Sequence, residues 1–322
     1  MLRYKRFLSA AAFEYLNTDG AFIIPEIKTA RRTDEPFCLD IHLRENDTLM
    51  VYMGTTRVLK LKINIKTKKL VFTADKAYSD EFLISYDFDH APKGKIIQYL
   101  HKAMPNVNQK YFDNKKEGYY QNMTCYLHGE NAADSSPFIV FDRECVIGFR
   151  DITEKTKCFN PIADKYQGIK NRLQKLDSNK YGKPADNKLG NELDLLGIDS
   201  NLNLLCIELK HGSNSSGIYW GPLQVAVYRE LFNSINSQDF FNDVRTLIMQ
   251  KIALNLLPHK TATFYEAHDK FNKILPVLGV GAPNYKMNCW KMMSNIIDNS
   301  KYDLSCDVLR IEKDGKISPI TI

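Results

Sequence analysis

The chain has 322 residues, a formal net charge of +6 and an apolar fraction of 44%. These values are typical of a globular protein and exclude a collagen-like, low-complexity or fully disordered chain. No apolar run approaches the roughly 20 residues that a membrane-spanning helix needs, and Glu14 interrupts the first apolar patch early. We therefore expect neither a signal peptide nor a membrane anchor, and the length favours two domains.

The cysteines are scattered singly along the chain, with no CxxC pair and no Cys/His cluster at zinc spacing. This distribution predicts reduced, mostly buried thiols of a cytoplasmic protein and no structural zinc. The positive charge is mild and evenly spread, so it permits a polyanionic partner without requiring one.

Residues 47–75 show the alternation of a β-meander, because apolar and polar side chains alternate between turn-like segments. Leu59, Leu61 and Ile63 share one face of a predicted strand, and lysines occupy the other face. The pattern predicts an antiparallel sheet with one face in water.

The stretch after the meander predicts fewer regular elements. The segment KIIQYLHKAM, at 95–104, predicts a helix that ends before Pro105, and residues 106–136 predict a long loop because they are rich in Asn, Lys, Gly and Ser. A strand pair is expected at 138–149. Within the predicted loop, YFDNKKEGYY at 111–120 interleaves aromatic residues with lysines, which permits stacking on a single nucleic-acid strand, although a solvated loop is the favoured interpretation.

The second half of the chain alternates predicted helices with predicted strands. These are a helix at 163–176, two strands within 191–212, helices at 221–232 and 244–257, a buried strand at 274–281 and a closing hairpin around 313–315. The fold class expected is α/β (α+β). We expect a β-rich N-terminal domain at residues 1–155, followed at 156–322 by a mixed-sheet domain with flanking helices.

The segment NELDLLGIDSNLNLLCIELKHG, at 191–212, places charged side chains in two strands that otherwise have the composition of a buried sheet. Glu192 and Asp194 share one strand face, as do Glu208 and Lys210, because side chains two residues apart in a strand point the same way.

Whether both pairs share a face depends on the hairpin loop. A three-residue loop at 200–202 pairs Asp199 with Asn203 and sets Asp194 opposite Glu208, with Cβ atoms about 5 Å apart. A five-residue loop in the same register gives the same result. A two-residue loop would send Asp194 and Glu208 to opposite faces.

Two carboxylates held so closely require a positive charge between them, because leaving them unpaired in a low-dielectric site costs several kcal/mol. Mg²⁺, or Mn²⁺ in its place, accepts carboxylate and carbonyl oxygens as ligands. Lys210 would point at the same locus, where an ammonium can position a water molecule or stabilise a developing negative charge. Such a site suits hydrolysis of a phosphodiester.

The order of these residues also resembles a known pattern. E-x-D, thirteen residues and E-x-K are followed by a helix that carries Gln224 and, one turn later, Tyr228. This arrangement resembles the core of the PD-(D/E)xK nuclease superfamily, which has the restriction-endonuclease-like fold. The resemblance covers about residues 163–232.

The resemblance implies a role for each matching residue. It implies that Asp194 and Glu208 bind the metal together with the carbonyl of Leu209, that Lys210 is catalytic, and that Gln224 faces the site from the next helix. Asp194, Glu208, Lys210 and Gln224 are thus the expected catalytic set.

Further residues are expected to support this set or depart from the family pattern. Glu192 would add an outer contact or a second-metal contact, and Tyr228 shares a helix face with Gln224. Leu193 replaces the proline that often precedes the aspartate in the superfamily, and helix 163–176 offers no glutamate as an extra ligand, which leaves the number of metals open.

We therefore expect an Mg²⁺-dependent or Mn²⁺-dependent nuclease that hydrolyses phosphodiester bonds in DNA in preference to RNA, in defence against foreign DNA or in repair. A cytoplasmic location without a membrane partner is expected. The N-terminal domain would recognise nucleic acid, recognise a partner or form a homodimer.

Two other functions fit the same residues. A non-catalytic module for nucleic acid or protein would keep the fold and use the carboxylates as a structural ion-pair network. A phosphatase acting on small molecules would place the metal in an enclosed pocket. Outside the carboxylate cluster, we expect His211 to be an exposed residue at a strand end and Arg143 to form a salt bridge at the surface or between domains.

Overall fold

The computed structural model describes residues 4–74, 83–90, 93–107, 112, 114–149, 151–177, 189, 192–261, 270–298 and 303–320. Within these ranges the chain has the mixed α and β content that was predicted, with one five-stranded antiparallel sheet and one six-stranded mixed sheet. No helix in these ranges combines the length and the apolar composition that crossing a bilayer requires.

The chain divides into two compact units, and neither is a single continuous segment. We call residues 5–141 with 242–267 the N-terminal unit, and Tyr4 with residues 142–241 and 268–322 the C-terminal unit. The prediction assumed one boundary near residue 155, and the assignment of 1–155 and 156–322 as domains stays a prediction.

The N-terminal unit is built on the predicted meander. Its elements are α1 (Ala10–Asn17), α2 (Ile23–Thr29), β1 (Asp40–Arg44), β2 (Thr48–Met53), β3 (Thr56–Asn64), β4 (Lys69–Thr73), β5 (Leu83–Asp87), α3 (Lys95–Ala103) and α4 (Glu117–Cys125). The five strands pair antiparallel in chain order. In β3, Leu59, Leu61 and Ile63 are buried and Lys62 is exposed, so the predicted alternation is confirmed.

The long loop predicted at 106–136 is wrong over residues 117–130. Helix α4 forms there and continues as one π-helical segment at Tyr126–Glu130. Phe112, Tyr119 and Tyr120 are buried, so these three aromatic residues of YFDNKKEGYY pack inside the unit and neither line a solvated loop nor face a nucleic-acid strand, while Tyr111 lies outside the described residues. The loop was predicted because the segment is rich in polar residues. Its aromatic rings nevertheless supply enough apolar area to bury a helix.

The C-terminal unit carries the six-stranded sheet and four helical segments. Its elements are β6 (Phe138–Cys145), α5 (Ile152–Leu176), β7 (Leu193–Asp199), β8 (Leu204–His211), α6 (Ser215–Ile235), the first turn of α7 (Gln238–Ala253), β9 (Ile274–Gly281), α8 (Cys289–Asp298), β10 (Asp307–Ile311) and β11 (Ile317–Pro319). The rest of α7, residues 242–253, belongs to the N-terminal unit. The chain passes from one unit to the other within β6 and within α7.

The sheet order is β11-β10-β9-β8-β7-β6. Strand β8 pairs antiparallel with β7 and parallel with β9, and its residues are buried from Leu204 to Lys210, as expected of a strand covered on both faces. The predicted buried strand at 274–281 and the predicted closing hairpin are confirmed as β9 and as β10 with β11.

Helix α6 covers this sheet, packing on β8 and β9 and against α5 and α8. Gly221 allows the close approach to β9, because a Cβ at this position would lie 2.7 Å from Leu278 Cδ1.

Two predicted helix starts and one predicted strand pair are wrong, and the helix predicted at 244–257 spans Gln238–Ala253. Helix α5 begins at Ile152, where the Asp151 side chain accepts a hydrogen bond from Glu154 N at 2.8 Å, and α6 begins at Ser215 after a similar cap by Asn214. Both helices contain a proline, which the prediction took as a helix start. The predicted strand pair at 138–149 is a single strand, β6.

Candidate active site

The hairpin between β7 and β8 has the three-residue loop that the carboxylate cluster requires. Asp199 N donates to Asn203 O at 3.2 Å, and the register pairs Leu195 with Ile207 and Ile198 with Leu204. Leu202 ends the loop with φ at 57°, the left-handed conformation that allows the chain to turn back into β8. Continued by one residue, this register sets Asp194 opposite Glu208, as predicted.

Position in the ladder brings these two side chains close together. Counting from the bonded pair Asp199–Asn203, Asp194 and Glu208 fall at a non-hydrogen-bonded position, where facing side chains of antiparallel strands are nearest. Asp194 also takes part in the backbone pattern, because its Oδ2 accepts a hydrogen bond from Leu209 N at 2.7 Å. The aspartate carboxylate is therefore held against β8.

Lys210 supplies the positive charge between the carboxylates. Its Nζ lies 2.5 Å from Glu208 Oε1 and 3.7 Å from Asp194 Oδ2. The Lys210 side chain is 9% exposed and that of Glu208 is 3% exposed, so the pair is shielded from water. One ammonium faces two carboxylates, so these three groups carry a net negative charge when both acids are ionised. A further positive charge would balance it.

Helix α6 contributes two side chains, one turn apart. Gln224 Nε2 donates to the same Glu208 Oε1 that Lys210 contacts, and the Tyr228 hydroxyl donates to the carbonyl oxygen of Glu192. The Glu192 side chain is exposed, so the described contact of this residue with the helix is through its backbone. The structure thus brings Asp194, Glu208, Lys210 and Gln224 together, while their chemical roles stay predictions.

Burial changes the acidity of two of these groups. It raises the pKa of Asp194 above its usual range and outweighs the Lys210 ammonium and the Leu209 amide, which act in the opposite direction. Burial also raises the pKa of Tyr228, with a further contribution from the negative charges of Glu208 and Asp194. The tyrosine hydroxyl consequently stays protonated and donates its hydrogen bond.

Strand β6, which pairs with β7, adds charge to this neighbourhood. Arg143 is fully buried, so its predicted surface position is wrong. Its guanidinium lies 3.5 Å from Glu144 Oε1 and lowers the pKa of Asp194, whereas the Glu144 carboxylate raises it. One signal in the sequence indicated this environment, because apolar segments, FIVF and CVIGF, flank the charged residues 142–144.

Gly217 is a further residue that sequence reasoning missed. It lies in the first turn of α6, and a Cβ there would lie 2.6 Å from Lys210 Cδ and 2.6 Å from Asn214 Nδ2. Its lack of a side chain leaves the space that the Lys210 stem occupies. No sequence pattern shows this contact, because it arises where the helix crosses the end of β8.

His211 ends β8, as predicted, and is half-buried. Its Nδ1 lies 2.8 Å from Ser213 Oγ. The predicted position at the strand end is thus confirmed, and the predicted exposure is wrong.

The donor set suits a hard divalent cation. Asp194 and Glu208 offer carboxylate oxygens on one sheet face, and Leu209, which lies between Glu208 and Lys210 in β8, offers a backbone carbonyl. Glu208 Oε2 is buried and accepts no hydrogen bond within the part of the chain that the structure describes. The oxygen ligands of this cluster therefore fit the divalent cation that the predicted phosphodiester hydrolysis needs.

Comparison with protein-family models, with curated proteins and with solved structures gives no match for this chain.

Proposed function

We propose that the protein is a metal-dependent nuclease that hydrolyses phosphodiester bonds in DNA, with the cluster on β7 and β8 as its active site. The observation that supports the proposal is the convergence of Asp194 and Glu208 across the hairpin, with the Lys210 ammonium beside both carboxylates. The predicted resemblance to PD-(D/E)xK nucleases agrees with this arrangement and rests on the same residues.

Each residue has a task that follows from its contacts. Asp194, Glu208 and the carbonyl of Leu209 would hold Mg²⁺ or Mn²⁺, which supplies Lewis-acid polarisation of a phosphate when bound. Lys210 orients the attacking water and stabilises negative charge that develops on the phosphate. Gln224 fixes the orientation of the Glu208 carboxylate through its hydrogen bond.

An aromatic pair, one exposed ring stacked on a half-buried one, supports nucleic acid as the partner. Tyr285 follows β9, is 53% exposed and stacks on Trp290 with 5.7 Å between ring centroids and 26° between ring planes. Lys286 and Lys291 beside them are exposed. Exposed rings with adjacent lysines can stack an unpaired base and attract the phosphate backbone, so we propose DNA with single-stranded character as the substrate.

The location and assembly of the protein are also proposals. All seven cysteines are free, which suits the reducing cytoplasm. Defence against foreign DNA and DNA repair both use such an activity. Recognition of nucleic acid or formation of a homodimer are the proposed tasks of the N-terminal domain.

A cleavage assay tests the activity directly. Single-stranded and double-stranded DNA and RNA are incubated with the protein in Mg²⁺, Mn²⁺ or EDTA, with para-nitrophenyl phosphate as the substrate that reports a phosphatase. We expect DNA cleavage that EDTA abolishes and that Lys210→Ala and Asp194→Asn each reduce by at least about 10²-fold, the loss typical when one transition-state stabiliser is removed. Lys165→Ala is the matched control, because Lys165 pairs with Glu230 away from the cluster.

The rival is a non-catalytic binding module, and a specific observation favours it. Lys210 already makes a close ion pair with Glu208, as a structural network would. That function predicts DNA binding without cleavage and no heat of Mg²⁺ binding in calorimetry. Cleavage that survives Lys210→Ala would contradict the mechanism proposed here.

A further inference from the structure

The N-terminal unit contains a second cluster of ligand-type side chains, separate from the proposed active site. Asp40 and His42 lie two residues apart on β1 and therefore share a strand face, and Cys125 ends helix α4. One carboxylate oxygen, one imidazole nitrogen and the sulfur all lie within 4.8 Å of one another. His42 Nε2 is 2.8 Å from Asp40 Oδ2.

Burial distinguishes this cluster from a surface group of charges. His42 is 2% exposed and Cys125 is 5% exposed, while the Asp40 side chain is 12% exposed. The partly exposed carboxylate leaves the cluster a route to solvent.

The three ligand types together select a class of metal. Sulfur excludes Mg²⁺ and Ca²⁺, which take oxygen ligands, whereas Zn²⁺ accepts thiolate, imidazole and carboxylate together. Tetrahedral bonds of about 2.0–2.3 Å place neighbouring ligand atoms roughly 3.3–3.8 Å apart. The limit of 4.8 Å on the present separations exceeds this range by about 1 Å. Small side-chain rotations that draw the sulfur in and open the 2.8 Å His42–Asp40 contact would give that geometry.

Surrounding residues hold the ligands in place. Asn122, one turn before Cys125 on α4, donates to the carbonyl oxygens of Phe37 at 2.9 Å and Cys38 at 3.0 Å, in the segment that leads into β1. The helix end is thereby fixed beside the strand that carries Asp40 and His42. Groups that orient ligands in this way are a regular part of protein metal sites.

The local charge also permits a cation. The Asp40 carboxylate is near enough to Arg31 to help raise the pKa of that guanidinium. The guanidinium makes a bidentate pair with Glu130, at 2.9 Å and 2.6 Å, and the Glu130 carboxylate balances the Arg31 charge. Zn²⁺ with the Asp40 carboxylate and the Cys125 thiolate forms a neutral group.

We propose that Asp40, His42 and Cys125 bind Zn²⁺, with water as the fourth ligand, and that the ion fastens the end of α4 to β1. On binding, the Cys125 thiol loses its proton to solvent and the sulfur forms the metal bond. The site is independent of the nuclease activity. Spacing rules could not find it, because β1 and α4 are far apart in the chain.

Cobalt substitution tests the site, since Co²⁺ bound to a thiolate has a charge-transfer absorption that carboxylate ligands do not produce. The full chain, prepared without a histidine tag, is stripped with EDTA and titrated with Co²⁺ and then Zn²⁺. We expect one equivalent of Co²⁺ to give the absorption and Zn²⁺ to displace it. Asp194→Asn should leave the absorption unchanged.

Variants assign the absorption to the cluster. Cys125→Ser should abolish it, whereas Cys38→Ser, at a fully buried cysteine outside the cluster, should retain it. Asp40→Asn, at the most exposed ligand, covers the case in which Cys125→Ser fails to fold, and should weaken Zn²⁺ binding. The melting temperature of the unaltered chain should rise with Zn²⁺ concentration. No absorption in the unaltered chain, or an absorption that survives Cys125→Ser, would overturn the proposal.

Discussion

Replacement of Lys210 by methionine tests the charge balance of the proposed active site through stability. The change keeps the length of the side chain and removes the ammonium that lies 2.5 Å from Glu208 Oε1. Because the Glu208 side chain is only 3% exposed, its carboxylate would then be buried without its main counter-charge. Breaking a buried pair in this way costs about 3–5 kcal/mol.

That loss leaves a folded protein if the total stability lies in the usual range of about 5–15 kcal/mol. A divalent cation held by Asp194 and Glu208 would replace the missing charge. At a Mg²⁺ concentration of 100 times Kd, binding stabilises the folded state by about 2.7 kcal/mol. We therefore expect Mg²⁺ to stabilise Lys210→Met more than the unaltered chain, in which the ammonium repels the cation.

Urea denaturation in EDTA and in Mg²⁺ measures both effects. Lys170→Met is the matched control, because Lys170 is 4% exposed and its ammonium lies 5.7 Å from the Trp220 ring centroid. Burial lowers the pKa of Lys170, so we expect its replacement to change stability little and to add no dependence on Mg²⁺. A cost of less than about 1 kcal/mol for Lys210→Met would show that Lys210 is not the main counter-charge of Glu208. No added stability of that variant in Mg²⁺ would show that the two carboxylates do not bind the cation.

Three further predictions concern other positions. In Gly217→Ala the added Cβ would lie 2.6 Å from Lys210 Cδ and displace the lysine side chain. We expect kcat to fall about tenfold or more, with little change in circular dichroism. An unchanged kcat would contradict the proposed packing. Burial raises the pKa of Glu130, but hydrogen bonds from Arg31 and Lys28 outweigh it and lower the pKa below 4.5. Glu130→Gln should therefore cost roughly 2 kcal/mol at pH 7, and this difference should disappear as the pH falls through the lowered pKa; a pH-independent difference in urea unfolding would refute it. Tyr285→Ala should weaken binding of single-stranded DNA about tenfold, whereas Tyr285→Phe should not, as measured by fluorescence anisotropy.

Local patterns in the sequence determined the meander and the buried strand at 274–281, and they limited the β7–β8 hairpin to a few registers. Each depends on residues near one another in the chain. Alternation of period two fixes which face of a strand is buried, and the length of the loop after Asp199 fixes which residues oppose each other. The sequence left that loop length open, and the observed Asp199–Asn203 pair is what sets Asp194 opposite Glu208.

The starts of helices α5 and α6 were predicted less well from the sequence, although one start signal was present. Asp151 and Glu154 have the spacing of an N-terminal cap, and that cap starts α5 well before Pro161. Proline is expected at the start of a helix, and the structure has it inside α5 and α6. Packing of these helices outweighs the hydrogen bond that each proline removes.

Tertiary structure alone decided the contacts between elements that are distant in sequence. Gly217 accommodates Lys210 because α6 crosses the end of β8, and Cys125 reaches Asp40 and His42 because α4 packs on β2, the neighbour of β1. The sequence specifies such contacts only through the sum of many weak packing terms, which no spacing rule reports. It determined the composition of the proposed nuclease site and the side-chain face of each strand, while the fold decided which further groups share that space.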